Sequence, residues 1–219
     1  KMFDMIRVVL ADDHEIVRSG FLALLEQDTD ISVVAEAADG TQAFEIVERE
    51  NPDIILLDIS MPPGQSGLVA CEKITKKFPE TKVIILTMFS EPEYLFYTLR
   101  GGASGYLLKN SSKAELLSAI HAVAEGGTYI HPKMATSLTK QLFAADGEQQ
   151  KNPFEVLSNR EMEVLQLLVK GYTNKQESEE LYLSIKTAEA HRSKIYSKLG
   201  ISTRSELVAY AMKYKLLDM

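Results

Sequence analysis

The sequence predicts two domains: an α/β domain wound in both directions around five parallel strands, then a small all-α domain. Three observations carry this. From Ile6 to Glu125 short β-branched runs alternate with amphipathic helical patterns. The stretch Ala144–Pro153 (AADGEQQKNP) is polar, contains Gly and Pro and shows no period, as a linker does. Beyond it only helical patterns follow. A chain of 219 residues suits two modest domains better than one large one.

In order, the strands are expected at Ile6–Ala11, Ile31–Ala37, Ile54–Leu57, Lys82–Leu86 and Gly105–Leu108. The first, third and fourth are near-continuous apolar runs, the mark of parallel strands covered on both faces. Helical patterns lie between and after them at about Glu15–Glu26, Thr41–Glu50, Leu68–Phe78, Glu91–Arg100 and Lys113–Glu125. Five βα units in a row argue for one sheet with helices on both sides. Residues 133–143 read as one more short helix. After the linker, helices are expected at Asn159–Lys170, Asn174–Leu181, Ile185–Leu199 and Ser205–Tyr214. Ser158 with Glu161 forms a capping box, and Thr173 with Gln176 caps the next helix. Gly171 and Gly200 end their helices, and Leu183-Ser184 makes the turn between the second and third.

Net charge is −7, unevenly divided: residues 1–150 hold 13 Lys+Arg against 22 Asp+Glu (−9), residues 151–219 hold 11 against 9 (+2). Two halves of opposite sign suggest different partners. The single cysteine, Cys71, excludes an internal disulfide and reads as a packed thiol. With no apolar run of membrane-spanning length and no signal-peptide core, a cytoplasmic protein is expected. His14, His121, His131 and His191 lack metal-ligand spacing, so no zinc or iron site is expected.

Open α/β sheets place their ligands at the carboxyl ends of the strands. Here the first strand ends in Asp12-Asp13, the third in Asp58, the fourth in Thr87 and the fifth in Lys109. In a flavodoxin-like strand order the first and third strands are neighbours, so the three aspartates cluster. Clustered carboxylates repel, and a hard divalent cation relieves them. Mg2+ takes one or two carboxylates, a carbonyl and waters, and keeps room for phosphoryl oxygens. A carboxylate beside it can attack phosphorus to give an acyl phosphate, with Lys109 and Thr87 meeting the transferring oxygens. Each residue alone would pass for a strand end or helix cap. All five at the strand ends of one βα series point to a site.

The motifs VVLADDHEIVRSG, IILLDISMP, VIILTMF and GYLLK resemble the receiver domain of bacterial response regulators. The resemblance implies that Asp58 is the phosphoacceptor and that Asp12, Asp13 and Asp58 hold Mg2+ with the Ser60 carbonyl. It implies that Thr87 and Lys109 read the phosphoryl group, and that Tyr106 is the switch aromatic whose burial follows the movement of Thr87 toward the phosphate. As plain chemistry, Tyr106 would also serve as core. Many receivers have Met-Pro, three residues, then Gly; MPPGQSG has one more before Gly67. With FPETKVIILTMF and GYLLKN, that loop resembles the oxygen- and nitrate-responsive members of the class.

On the long helix of the second domain, Lys186, Glu189, Ala190 and Ser193 fall along one exposed stripe, while Ile195 and Leu199 point inward. Small and polar residues flanked by cations suit a major groove, although charge alone also fits a solvated face. The pattern LSNREMEVLQLLVKGYTNK, then LYLSIKTAEAHRSKIYSKLG, resembles the LuxR-type helix-turn-helix of the NarL/FixJ class. By position, Glu189, Ala190 and Ser193 would face base edges. Lys186, Thr187, Arg192, Lys194 and Lys198 would lie nearer phosphates, with Asn174 and Lys175 touching the DNA backbone from the preceding helix. The implied protein is a two-component transcription factor and not an enzyme. Its receiver spans 5–127, a short helix and linker 128–154, and the helix-turn-helix 155–219. A sensor histidine kinase would phosphorylate Asp58 and so promote dimerisation and promoter binding; RNA polymerase stays open as a further partner.

Two positions depart from the helix-turn-helix pattern. Gln176-Glu177-Ser178 stands where Glu-Ile-Ala is usual, and Ala188 where Val is. Positions 177, 178 and 181 share one helical face, which Leu181 marks as buried. A carboxylate there must reach solvent, find a cation or take up a proton. One escape is a cap shifted to Asn174, with Glu177 completing the box. The main rival reading is a Mg2+-dependent phosphatase of the haloacid-dehalogenase kind. Such enzymes carry the nucleophile on the first strand and a substrate cap, whereas here it would end the third. A third reading is a protein-binding output that does not touch DNA.

Overall fold

The computed structural model describes residues 5–61, 66–88, 90, 92–136, 153–203, 206, 207, 210, 211, 214 and 216. Two compact units divide the chain at Ala145/Asp146. In the first, β1 (Ile6–Ala11), β2 (Ile31–Ala37), β3 (Ile54–Leu57), β4 (Lys82–Thr87), β5 (Gly105–Leu108) and β6 (Tyr129–Ile130) form a parallel sheet in the order β2-β1-β3-β4-β5-β6. The expected five strands are all present, and β4 runs one residue further, to Thr87.

The sixth strand corrects the expectation of five. β6 (Tyr129–Ile130) pairs parallel to β5, with Gly105 opposite Tyr129 and Tyr106 opposite Ile130. Two residues are too few to show a period, and the strand lies beyond the expected end of the domain at 127. It forms because Gly126, at φ +87°, turns the chain back from the preceding helix onto the open edge of β5.

The helices are α1 (Glu15–Leu25), α2 (Gly40–Glu50), α3 (Gly67–Lys77), α4 (Pro92–Arg100) and α5 (Lys113–Ala124). Asp39 caps α2 by accepting from Thr41 N and Gln42 N, and Ser112 with Glu115 forms a capping box on α5. Residues 132–136 are helical (α6) and begin the helix expected at 133–143; the remainder of it and the linker through 152 lie outside the described residues. Strand residues alternate between the two faces. Val8, Leu10, Ile54, Leu56, Ile84, Leu86 and Leu107 form one buried cluster with Phe21 and Leu25 of α1 and Leu116, Ile120 and Val123 of α5. The tight middle of the sheet fixes the positions of the residues at its carboxyl end.

The second unit comprises α7 (Pro153–Val156), α8 (Asn159–Val169), α9 (Asn174–Glu180) and α10 (Ile185–Leu199). The turn α7 straddles the expected boundary between linker and helix-turn-helix at 154/155; its four residues are too short for a pattern. Capping boxes at Ser158/Glu161 and Thr173/Gln176 and Gly200 at φ +67° stand as expected, and Ser184, expected in the turn, also caps α10 by accepting from Thr187 N. The shift of the α9 cap to Asn174 does not occur. Of the helix expected at 205–214, the described residues 206, 207, 210 and 211 are helical. Met162, Val164, Leu165, Leu168, Ala188, Ile195 and Leu199 are buried. Among the described residues no helix is long and apolar enough to cross a membrane.

Candidate functional site

At the carboxyl end of the sheet, the register of β1 against β3 ends on Ala11 opposite Leu57, so Asp12 and Asp58 leave neighbouring strands together. Asp58 N donates to Ala11 O (2.9 Å) and Asp12 N to Ala37 O (3.1 Å), extending the ladder through both residues. Asp12 is fully buried and Asp58 nearly so. Lys109 Nζ lies 2.7 Å from Asp58 Oδ2 and 2.7 Å from Asp12 Oδ2, bridging the two carboxylates. Lys109 N donates to Thr87 O (2.8 Å), so the pairing of β5 with β4 aims the ammonium. Thr87 is buried at the end of β4.

Asp13 is partly exposed and meets His14, whose Nδ1 is 2.6 Å from Asp13 Oδ1. His14 N donates to Asp12 Oδ1 (2.9 Å), and Arg18 of α1 donates to Asp12 O (2.7 Å). Ligand atoms of Asp12, Asp13 and His14 lie within 4.8 Å of one another. Histidine spacing did not reveal His14; adjacency to the Asp-Asp pair was the available signal. Ser60 is half-buried two residues after Asp58. Gly67 N donates to Ile59 O (2.9 Å), and a Cβ on Gly67 would overlap the Asp58 carbonyl oxygen. Only glycine lets the start of α3 close against the β3 end. Tyr106, opposite Ile85, is fully buried.

Burial pushes the Asp58 carboxyl up to about 6 and Asp12 adds to this, while Lys109 pulls the other way. Burial lowers the Lys109 ammonium, but Asp58 and Asp12 outweigh it and hold the group above its ordinary value. Three carboxylates against one ammonium leave a formal charge of −2, which a divalent cation would balance. The all-oxygen donors of Asp12, Asp13 and Asp58 suit Mg2+.

In the second unit, Lys186, Glu189, Ala190, Ser193 and Lys194 are exposed on one side of α10, as expected, and Lys175 is exposed on α9. Thr187 is half-buried and its hydroxyl lies 2.7 Å from Ser184 Oγ, in the cap of α10. Lys198 Nζ donates to Glu161 Oε2 (2.6 Å), so this cation is tied to the α8 capping box. Asn174 Nδ2 donates to Glu189 Oε1 (3.2 Å), and Arg192 donates to Asn174 Oδ1. Of the residues expected at DNA, Asn174, Glu189 and Arg192 are therefore linked to one another, while Thr187 and Lys198 are held by Ser184 and Glu161.

The family described as response regulator receiver domain matches residues 8–121, and that described as bacterial regulatory proteins, luxR family, matches residues 155–211. The chain belongs to the LuxR-type response regulators. It therefore acts in regulating transcription and is not an enzyme. It is 49% identical to the oxygen regulatory protein NreC of Staphylococcus aureus over 215 residues, 97% of this chain and 99% of that one. This agrees with the resemblance carried by the MPPGQSG loop. Among solved structures, RcsB from Salmonella enterica serovar Typhimurium, bound to promoter rprA with a phosphomimetic, superposes at TM-score 0.67 and 28% identity, covering 94% of this chain and 98% of that one. A LuxR-family regulator from Aurantimonas superposes at TM-score 0.61 and 34% identity, over 64% of this chain and 99% of that one.

Proposed function

We propose that Asp58 accepts a phosphoryl group from a sensor histidine kinase, and that the modified protein dimerises and binds promoter DNA in the cytoplasm. The observation that carries this is the Lys109 ammonium held 2.7 Å from both Asp58 and Asp12 at the ends of adjacent strands. A carboxylate oxygen of Asp58 forms a bond to phosphorus as the phosphorus–nitrogen bond to the kinase histidine breaks, and the imidazole leaves. Lys109 meets charge on the transferred oxygens, and the Thr87 hydroxyl donates to one of them from the end of β4. Asp12, Asp13, Asp58 and the Ser60 carbonyl would hold Mg2+, which when bound would supply positive charge that keeps Asp58 ionised and screens the phosphoryl oxygens. Tyr106 answers Thr87 as the buried switch aromatic.

Phosphoacceptor function lies in residues 5–127 and DNA function in 155–219, joined by 128–154, whose strand β6 also completes the sheet. The exposed face of α10 supplies base contacts from Glu189, Ala190 and Ser193. Lys186, Thr187, Arg192, Lys194 and Lys198, with Asn174 and Lys175, serve the phosphates. RcsB, bound to promoter DNA in its solved structure, supports this placement. Incubating the chain with a small acyl phosphate and Mg2+ is expected to retard it on a phosphate-affinity gel. An equal shift in Asp58→Asn would refute the assignment.

A further inference from the structure

A chain of polar contacts joins α9 to α10, beginning in the core and ending on the outer face. Glu177 of α9 is fully buried, and among the described residues neither of its carboxylate oxygens has a hydrogen-bond partner. Arg192 of α10 faces it, with Nη1 3.9 Å from Glu177 Oε1. The same Nη1 donates to Asn174 Oδ1, and Asn174 Nδ2 donates to the exposed Glu189. An unsatisfied carboxyl inside the unit is thus connected, through two side chains, to a residue assigned to base contact.

We propose that Glu177 is a positioning residue for the DNA face: through Arg192 and Asn174 its carboxyl governs Glu189, and duplex DNA is bound with that carboxyl neutral. This rests on the reading of α10 as the recognition helix. Ionised Glu177 draws the Arg192 guanidinium toward the core. A DNA phosphate competes for the same guanidinium, and taking it would leave a buried carboxylate without its cation, a costly state. Protonation removes the conflict, so binding takes up a proton.

The surrounding charges leave this role to Glu177. Burial pushes its carboxyl up to about 7 against the pull of Arg192, so it changes charge near neutral pH. From α8, Arg160 donates to Leu181 O at the end of α9 and pairs with Glu163 at 2.5 Å, so its charge is already met. On α9 itself, Lys175 and Glu179 lie 4.0 Å apart on the exposed side. His191 of α10 is held below its ordinary value by burial and by Arg160 and Lys194.

The test is fluorescence anisotropy of the full chain, acyl-phosphate treated, on a duplex enriched from a randomised pool, from pH 6 to 8.5 at constant ionic strength. The native protein is expected to bind about 30-fold more weakly at pH 8.5 than at pH 6, because binding there must first protonate the ionised carboxyl. Glu177→Gln, which keeps the shape but cannot titrate, is expected to bind at the low-pH affinity throughout. Glu179→Gln removes an equal charge from the same helix and should keep the slope. A flat native profile, or an undiminished slope in Glu177→Gln, would overturn the proposal. Binding heats of the native protein in buffers of different ionisation enthalpy measure the proton directly, and zero uptake would overturn it even if the variant failed to fold. No binding at any pH would instead overturn the DNA reading on which the proposal depends.

Discussion

Replacing Glu177 with Ile together with Ser178 with Ala exchanges a buried carboxyl and hydroxyl for apolar groups at the α9–α10 contact. The carboxyl moves from an ordinary value of 4.5 to about 7 in the folded chain. Because the folded value is the higher one, the unfolded chain releases the proton first. Stability contributed at this site is intact below the ordinary value, falls as pH rises, and is lost above the folded value. At ~1.4 kcal/mol per pH unit, the ionised site costs about 3 kcal/mol at pH 8 and about 1 kcal/mol at pH 5.5. Burial of the Ile side chain adds about 1.5 kcal/mol or more at either pH. The Ser178 hydroxyl only back-bonds to Lys175 O, so its loss leaves nothing stranded. In a domain of this size ~1 kcal/mol moves the melting temperature by about 4–8 °C. Calorimetry of the full chain should therefore show the helical unit's transition raised at both pH values, and raised by roughly 10 °C more at pH 8. A gain that is equal at the two pH values would refute the titration argument; no gain at all would mean the carboxylate is already accommodated.

Gly67→Ala should slow acyl-phosphate labelling of Asp58 by roughly 100-fold, since the added methyl, 1.7 Å from the Asp58 carbonyl oxygen as placed, forces the two apart by more than about 1 Å. Unchanged labelling would show that the α3 start is free to retreat. Lys194→Ala should lower the salt slope of DNA binding by about one unit across all sequences, and Glu189→Ala should alter sequence preference. Lys198→Ala should also cost about 1 kcal/mol of thermal stability because it strips Glu161 of its cation; an unchanged melting temperature would refute that. Cys71 is fully packed and its thiol is pushed up to about 12, so iodoacetamide at pH 8 should label it only after denaturant is added. Prompt native labelling would contradict the packing.

Patterns within short stretches made most of this molecule legible. A strand end follows from where an apolar run stops, so Asp12, Asp58, Thr87 and Lys109 were expected at one sheet edge. The caps at Ser158, Thr173 and Gly200 followed likewise from local hydrogen-bond needs, and the burial of Glu177 from its helical period. Distances between residues remote in the chain were a different matter. That Lys109 bridges two carboxylates, that Gly67 abuts the Asp58 carbonyl and that β6 joins the edge of β5 depend on how the packed sheet sets its spacings. The same holds for Lys198, taken up by Glu161, and for Glu177, which Arg192 approaches to 3.9 Å without a hydrogen bond. A helical period places a side chain on a face. Whether that face offers a charge a partner depends on the opposing helix, and only the folded arrangement decides that.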